Sequence, residues 1–408
     1  MEYITRELER KFMKMNGFFK AILVTGARQV GKTTMLKHLC EGTDRTYVTL
    51  DNMMARELAK NDPVLFFQTY KPPILIDEVQ KAPELFEQIK IMCDETNEKG
   101  LFWLTGSQQY KMMTKIRDTL AGRIGILNLY SMSQREKNRM IFDMPLDYSL
   151  ETLQARQKMV FKNDIEKVFY HIWEGGMPQV LGVEEELRME YYNSYVDTYL
   201  MRDVAEEGGI TDTVKFTKFL KACAALVAEQ VNYATLAEST DISEPTAKEW
   251  LRLLQGLGIV YLLEPYANNE LKRLSKTSKL YFCDTGLCAF LSMWLSPQTL
   301  MNGAASGHYY ENYVVMELVK NYAYSSTKVN ITYYRDSNAK EIDLLIEENQ
   351  VIHPLEIKKS ASPDRREIKK FTFLDKTTLE RGNGGIVCMC EEPIPIDGQN
   401  CFIPSNLL

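Results

Sequence analysis

Between Ala21 and about Ser133, short apolar runs alternate with stretches of helical periodicity. The runs AILVTG, YVTLD, ILIDE, LFWLTGS and ILNLYSMS have the length of buried strands, and TTMLKHL, LFFQTY and LFEQIKIM fall between them. Such alternation predicts a parallel sheet with covering helices. From about Gln134 to Asp212 the strand signal fades. Helical stretches run over 163–173 and 184–203, separated by the breaker Gly175-Gly176-Met177-Pro178, which predicts a helical connector or lid. Beyond Val214 the pattern becomes three helices and a hairpin. In the third helix Ala247, Trp250, Leu251, Leu254 and Leu257 recur at helical spacing, Ser243 is placed as N-cap, and Gly256 and Gly258 end the helix before IVYLLEPY. After about Lys279, a helix over 309–322 precedes three strand-like runs, ITYYR, EIDLLIE and VIHPLEIKK. The expected organisation is an α/β unit over 1–133, a helical connector over 134–212, a winged helix-turn-helix over 213–278 and a second α/β unit over 279–408.

Composition narrows the class. With 408 residues, 45% hydrophobic and 25% charged, the chain is that of a soluble globular protein of several domains. A net charge of -6 argues against coating nucleic acid through bulk charge and leaves room for a local basic groove. The eight cysteines form no CxxC pair and only four histidines accompany them, so reduced structural thiols are expected rather than a zinc site. The opening stretch EYITRELERKF lacks the basic and apolar regions of a signal peptide, and no run of about 18 apolar residues occurs. The expected location is the cytoplasm, without a membrane partner.

Gly26-Ala27-Arg28-Gln29-Val30-Gly31-Lys32-Thr33 has the spacing GxxxxGKT, follows the strand AILVT and, with Thr34, opens the helix TTMLKHL. Glycines let such a loop wrap a phosphate in backbone N–H groups, and the helix N-terminus adds favourable partial charge. Lys32 is placed to reach the β- and γ-phosphates, and the Thr33 hydroxyl suits Mg2+. Ile74-Leu75-Ile76-Asp77-Glu78 supplies the acids expected at the end of a buried strand: Asp77 to hold Mg2+ through water, Glu78 to orient or deprotonate the attacking water. The strand YVTLD precedes the Asp-Glu strand, as in ATPases whose catalytic Glu follows the metal-binding Asp, and no NKxD motif of guanine-selective enzymes occurs. ATP with Mg2+ is therefore the expected ligand. A further strand ends in Thr105-Gly106-Ser107-Gln108, where Thr105 and Ser107 are placed to meet the γ-phosphate or the attacking water, although polar residues also end strands by default. Arg123, before the last strand, is a candidate for stabilising the transferred phosphoryl charge, within the subunit or from a neighbour in a homo-oligomer. The alternative is a surface arginine.

On these residues the chain resembles a prokaryotic family of AAA+-like ATPases fused to a C-terminal domain of unknown function. The blocks TGARQVGKTT, LIDEVQKAPELF, LTGSQ, LAGR, WEGGMPQ, YLMRDV, KLYFCDTGL, YYENYVVMELVK, EIDLLI and LEIKKS carry the resemblance in order over nearly the whole chain. It implies an α/β P-loop NTPase with a parallel sheet, then the helical connector, a winged helix, and a terminal fold similar to the PD-(D/E)XK restriction endonucleases. A nuclease of that group uses a carboxylate on a helix, an Asp on a strand and a Glu-x-Lys on the next strand. Carried over, these are Glu311 in YYENYVVMEL, Asp343 in EIDLLI, and Glu356 with Lys358 in LEIKKS. Strand residues i and i+2 share a face, so Glu356 and Lys358 point together, and a hairpin at Glu348-Asn349-Gln350 brings Asp343 alongside. The resemblance thus implies Glu311, Asp343 and Glu356 as divalent-metal ligands, with Lys358 steadying a water or a phosphorane-like charge. Glu-x-Lys alone carries little, since it recurs at Glu9, Glu270 and Glu367. The other reading is a fold whose acids are ion-paired to Lys358, Lys359 or Arg335 and serve structure or binding.

The exposed positions expected on the third helix of the winged region, Glu244, Lys248, Glu249, Arg252 and Gln255, are a mixed set that does not favour base reading. The stretch from Leu271 to Lys279 holds Lys272, Arg273, Lys276 and Lys279, which suits either a phosphate backbone or a solvated hairpin. The leading expectation is an ATP-hydrolysing switch or motor acting on DNA or RNA, with a nuclease-like effector domain. The alternative is an ATP-dependent regulatory or signalling scaffold whose terminal domain has no catalysis.

Overall fold

A computed structural model describes residues 2–106, 110–140, 142, 146–160, 164–266, 277–335, 340–376 and 379–408. The chain folds into two compact units, one of residues 1–132 with 256–259 and the other of residues 133–255 with 260–408.

The first unit is a three-layer α/β fold. Helix α1 (Leu8–Asn16) leads into β1 (Ala21–Thr25), α2 (Lys32–Cys40), β2 (Thr46–Thr49), α3 (Met53–Asn61), α4 (Pro63–Thr69), β3 (Ile74–Asp77), α5 (Leu85–Glu95), β4 (Phe102–Thr105), α6 (Tyr110–Thr119) and β5 (Ile124–Asn128). Strands β1, β3 and β4 are buried at every position, as strands covered on both faces must be. The five strands are all parallel, in the order β2-β3-β4-β1-β5. Strand β4 is last but one in sequence yet lies between β1 and β3. Its C-terminal residue Thr105 therefore stands between the loop that follows β1 and the acids that end β3.

The second unit begins with helices: α7 (Gln134–Lys137), α8 (Leu150–Gln157), α9 (Ile165–Glu174), α10 (Glu185–Ser194) and, after a π-helical turn over Tyr195–Leu200, α11 (Met201–Gly208). Helices α12 (Thr213–Ala225), α13 (Tyr233–Thr240) and α14 (Glu244–Gly256) follow, then an antiparallel pair of strands, β6 (Val260–Leu263) and β7 (Lys279–Phe282). The Ser243 hydroxyl caps α14 at Thr246 N, 3.2 Å away. Next come α15 (Thr285–Leu291), α16 (Pro297–Asn302), α17 (Ser306–Tyr324), β8 (Asn330–Arg335), β9 (Glu341–Glu348), β10 (Val351–Ile357), a 3-10 helix over Arg365–Lys376, β11 (Glu380–Arg381), β12 (Gly384–Cys388), β13 (Ile394–Pro395) and β14 (Asn400–Pro404). The mixed sheet has the order β13-β14-β12-β10-β9-β8, with β11 beside β10. Strands β9 and β10 are joined by Asn349 and Gln350, both at positive φ (49° and 71°), the backbone of a tight hairpin turn. Helix α17 is buried almost all round, which is why no single apolar stripe marks it in the sequence.

Two of the sequence blocks are explained by a buried joint in this unit. Asp284 caps α15 at Leu287 N (2.9 Å) and accepts from Gly176 N and Tyr192 Oη, each at 2.8 Å. The fully buried Arg188 donates to Trp173 O and, at 3.2 Å, to Gly286 O. Gly175 (φ 84°) admits no side chain, since a Cβ would lie 2.4 Å from Tyr192 Oη. WEGGMPQ and CDTGL therefore pack against and cap one another in this joint.

Candidate nucleotide and carboxylate sites

In the first unit the turn after β1 folds as a phosphate loop because its backbone leaves the ordinary regions three times: Gly26 at φ 141°, Gln29 at 62° and Gly31 at 96°. A Cβ on Gly26 would stand 2.1 Å from Leu129 O, so only glycine fits there. Ala27, Arg28 and Val30 complete the loop. Arg6, 2% exposed, braces it from outside by donating to Val30 O (2.7 Å) and Tyr130 O (2.8 Å). Inside the loop the Lys32 ammonium donates to Gly26 O (3.1 Å) and Ala27 O (2.7 Å), so carbonyls of the loop hold it. Thr34 is exposed on α2.

The acids at the end of β3 are held by hydroxyls. Asp77, 7% exposed, accepts from Thr33 Oγ1 (2.6 Å) and Thr105 Oγ1 (2.5 Å) at Oδ1 and from Tyr47 Oη (3.3 Å) at Oδ2. The Thr105 hydroxyl also accepts from Glu78 N at 3.1 Å. Glu78 has left-handed backbone angles (φ 57°, ψ 45°), unusual for a residue with a side chain, and its carboxylate accepts from Gln80 Nε2. One hydroxyl, Thr105, thus ties both acids to the loop side of the sheet. The group fits Mg2+ with a nucleotide: Thr33 and Asp77 already face each other as oxygen ligands, and the Lys32 ammonium lies within the loop.

Arg123 departs from its expected role within the subunit. It precedes β5, which runs parallel to β1 with Ile124 opposite Ala21, so it lies at the N-terminal edge of the sheet. The phosphate loop follows the C-terminal edge. Arg123 instead makes a two-pronged pair with Asp94, Nε to Oδ1 at 2.6 Å and Nη2 to Oδ2 at 3.0 Å. Ser107 lies outside the described residues. Tyr47 and Arg6 carry no motif and sequence reasoning passed over them, and Gln80 was given no role although it lies in the block LIDEVQKAPELF.

In the second unit Asp343 and Glu356 stand across from each other on β9 and β10, one register step beyond the Leu344–Leu355 pair. Asp343 Oδ2 accepts from Ile357 N at 2.8 Å. Glu356 is 1% exposed. Its Oε1 accepts from Lys358 Nζ (2.5 Å) and Lys370 Nζ (2.6 Å), while its Oε2 is buried without a hydrogen-bond partner. Burial, then the facing Asp343 carboxylate, pushes Glu356 up to about 8 despite the two lysines. The orphaned oxygen beside Asp343 is the arrangement a divalent cation would complete, so these two carboxylates fit a metal.

Glu311 does not join them. Among the described residues no group of three carboxylate, imidazole or thiol side chains is placed to hold one ion, which corrects the expected three-acid set. The reason is Lys279. Its ammonium lies 2.7 Å from Glu311 Oε1 and 2.7 Å from Glu341 Oε1, and Tyr281 Oη donates to the same Glu311 oxygen at 2.7 Å. Burial, then the Asp343 charge, still lifts Glu311 to about 7. Burial alone would lower Lys279, yet the Glu311, Asp343 and Glu341 charges hold it above the usual lysine range. Lys279 is 4% exposed, so it is not the solvent-facing wing cation expected from sequence. The other three wing cations lie outside the described residues. A polar cavity of about 430 Å3 opens beside this cluster, lined by Glu229, Gln230, His308, Glu311, Arg335 and Glu341 among others. Glu244, Lys248, Glu249, Arg252 and Gln255 are exposed on α14. None of the described helices is long and apolar enough to cross a membrane.

The parallel sheet, the loop and its acids define the first unit as an AAA-like P-loop ATPase domain. Residues 18–138 match the family described as an AAA domain, residues 165–298 match a domain of unknown function (DUF8612), and residues 306–408 match another (DUF4143). An uncharacterized protein of Mycobacterium tuberculosis is 24% identical over 388 residues, covering 94% of this chain and 80% of its own length. One from Methanocaldococcus jannaschii is 23% identical over 307 residues, 68% of this chain and 63% of its own. Among solved structures, the Walker-type ATPase of Pyrococcus abyssi is similar at a TM-score of 0.43 and 14% identity, over 71% of this chain and 96% of that one. The Thermotoga maritima RuvB Holliday junction branch migration motor gives 0.30 and 16%, over 62% and 85%.

Proposed function

We propose that the protein is a Mg2+-dependent ATPase whose second unit acts on nucleic acid, with Asp343, Glu356 and Lys358 as a phosphodiester-directed site of PD-(D/E)XK type. The observation that carries the first half is the hydroxyl network joining Thr33, Asp77, Thr105 and Glu78 N. Backbone N–H groups of residues 26–33 bind the phosphates, Lys32 swings from its carbonyls to the β- and γ-oxygens, and Thr33 and Asp77 hold the metal. Glu78, positioned through its main chain by Thr105, takes the proton of the attacking water. Bound Mg2+ supplies neutralisation of the phosphate charge. The second half is supported by the cross-strand placement of Asp343 and Glu356 with Lys358 on the same face. The three helices and the β6–β7 pair are read as a winged helix that brings the strand to this site.

The two halves are tested together in the full chain. Lys32→Ala should lose ATP binding or turnover, and Glu78→Gln should keep ATP while losing turnover. Single- and double-stranded DNA and RNA, incubated with Mn2+ or Mg2+ with and without ATP, should be cut by wild type and spared by Asp343→Ala. Turnover equal in wild type and both phosphate-site variants would refute the ATPase assignment. Cutting that persists in Asp343→Ala would come from a contaminant, and no cutting of any substrate by wild type leaves the second unit as a binding module.

A further inference from the structure

We propose that Lys279 is an internal counter-ion that withholds Glu311 from the metal pair of the second unit and so sets how tightly that pair binds a divalent cation. The inference rests on the reading of Asp343 and Glu356 as that pair. Glu311 belongs to the same field of charge, since the Asp343 carboxylate raises the cost of ionising it, yet its Oε1 is committed to Lys279 and Tyr281 at 2.7 Å each. The lysine is fixed by more than this contact. It begins β7, sits opposite Leu263 of β6, is 4% exposed, and has Glu341 as a second anchor at 2.7 Å.

The charges around the pair support the same conclusion. Glu311, Glu341, Asp343, Glu356 and Glu367 are met by Lys279, Arg335, Lys358 and Lys370, each within 4 Å of at least one of these acids. A cluster so nearly neutral attracts a cation weakly, because affinity for hard divalent ions grows with the number of free carboxylate ligands. Removing Lys279 takes away one positive charge and leaves Glu311 without its ion-pair partner beside Asp343. Both changes favour the metal.

Mn2+ titration of the full chain without nucleotide, by calorimetry, tests this. Asp343→Asn supplies the baseline of binding elsewhere, the phosphate loop included. Lys279→Met should bind Mn2+ at least about tenfold more tightly than wild type above that baseline. The double variant Lys279→Met with Glu311→Gln should return to within about twofold of wild type. Lys279→Gln, which keeps a hydrogen-bonding group on Glu311, gives the same reading if the methionine variant does not fold. Wild-type binding above the baseline with no gain on removing the lysine, or a gain that survives Glu311→Gln, overturns the role of Lys279 alone. Binding at baseline in wild type and Lys279→Met alike overturns the metal pair as well.

Discussion

Both sites set lysines close to carboxylates, and they arrange them in opposite ways. In the first unit the acids of β3 are held by hydroxyls, and Lys32 rests on the carbonyls of its own loop. In the second, Lys279, Lys358 and Lys370 are each bonded to an acid. An ammonium held by neutral carbonyls can move to a phosphate at little electrostatic cost, whereas one bound to a buried carboxylate leaves an uncompensated charge when it moves. The carbonyls around Lys32 can be given up to an anion without stranding a charge, whereas the lysines of the second site must exchange carboxylate partners to bind anything charged.

Breaking the hydroxyl network should have the largest effect. Thr105→Val removes one donor to Asp77 and the acceptor for Glu78 N while keeping the shape, so Asp77 is left to Thr33 and Tyr47 and the Glu78 main chain loses its tie to the network. ATP turnover should fall roughly 10- to 100-fold at little change in nucleotide affinity, the mark of a positioning defect rather than a lost contact to ground-state ligand. Two buried polar groups left short of partners should also cost about 1–3 kcal/mol. Thr105→Ser, which restores the hydroxyl, should recover most of both. Unchanged turnover in Thr105→Val would mean that the network is structural only.

The second comparison concerns pH. Glu311 and Glu356 titrate near 7 and 8 in the folded chain, against about 4.5 when unfolded. A carboxyl raised on folding keeps its proton longer in the native state, so its stabilising contribution is complete below about 4.5 and is lost as pH rises through 7 to 8. The unfolding midpoint of the second unit should drop by several degrees between pH 6 and 9, at about 2–4 °C per kcal/mol. Glu356→Gln, neutral throughout, should flatten that slope. A midpoint that rises over this range, or a slope the same in both proteins, would contradict the burial-driven shift.

The same contrast separates what could be read in the chain from what could not. The phosphate loop is contiguous, so spacing alone located Gly26 to Thr33, and Asp77 with Glu78 stood out as acids ending a wholly apolar strand. Asp343 and Glu356 were singled out through the family resemblance, and a hairpin with a two-residue turn is what makes them neighbours. Lys279 lies 32 residues from Glu311, and Lys370 14 from Glu356, and no spacing rule connects such pairs. Tyr47 reaches Asp77 only because β2 borders β3 in the sheet. Arg6 and Arg188 act through carbonyls, which every residue has, and leave no pattern to find.

Arg123 shows a reading that topology overrides, and it yields the smallest expected effect. In a parallel sheet the residue before a strand and the loop after a strand lie at opposite edges, so an arginine preceding β5 is remote from a loop following β1 whatever its side chain does. Its two-pronged pair with Asp94 is at the surface, where such pairs contribute little. Arg123→Ala should accordingly leave turnover per subunit within about twofold of wild type in dilute protein. The measurement has to be extended across protein concentration, because an arginine at the far edge of one sheet is free to face the phosphate loop of a second copy. If wild-type turnover per subunit rises with concentration and that rise alone disappears in Arg123→Ala, the residue acts between subunits, and mixing Arg123→Ala with Glu78→Gln should restore part of it. A loss of turnover already complete in dilute protein would instead require Arg123 to reach its own loop, against the strand order.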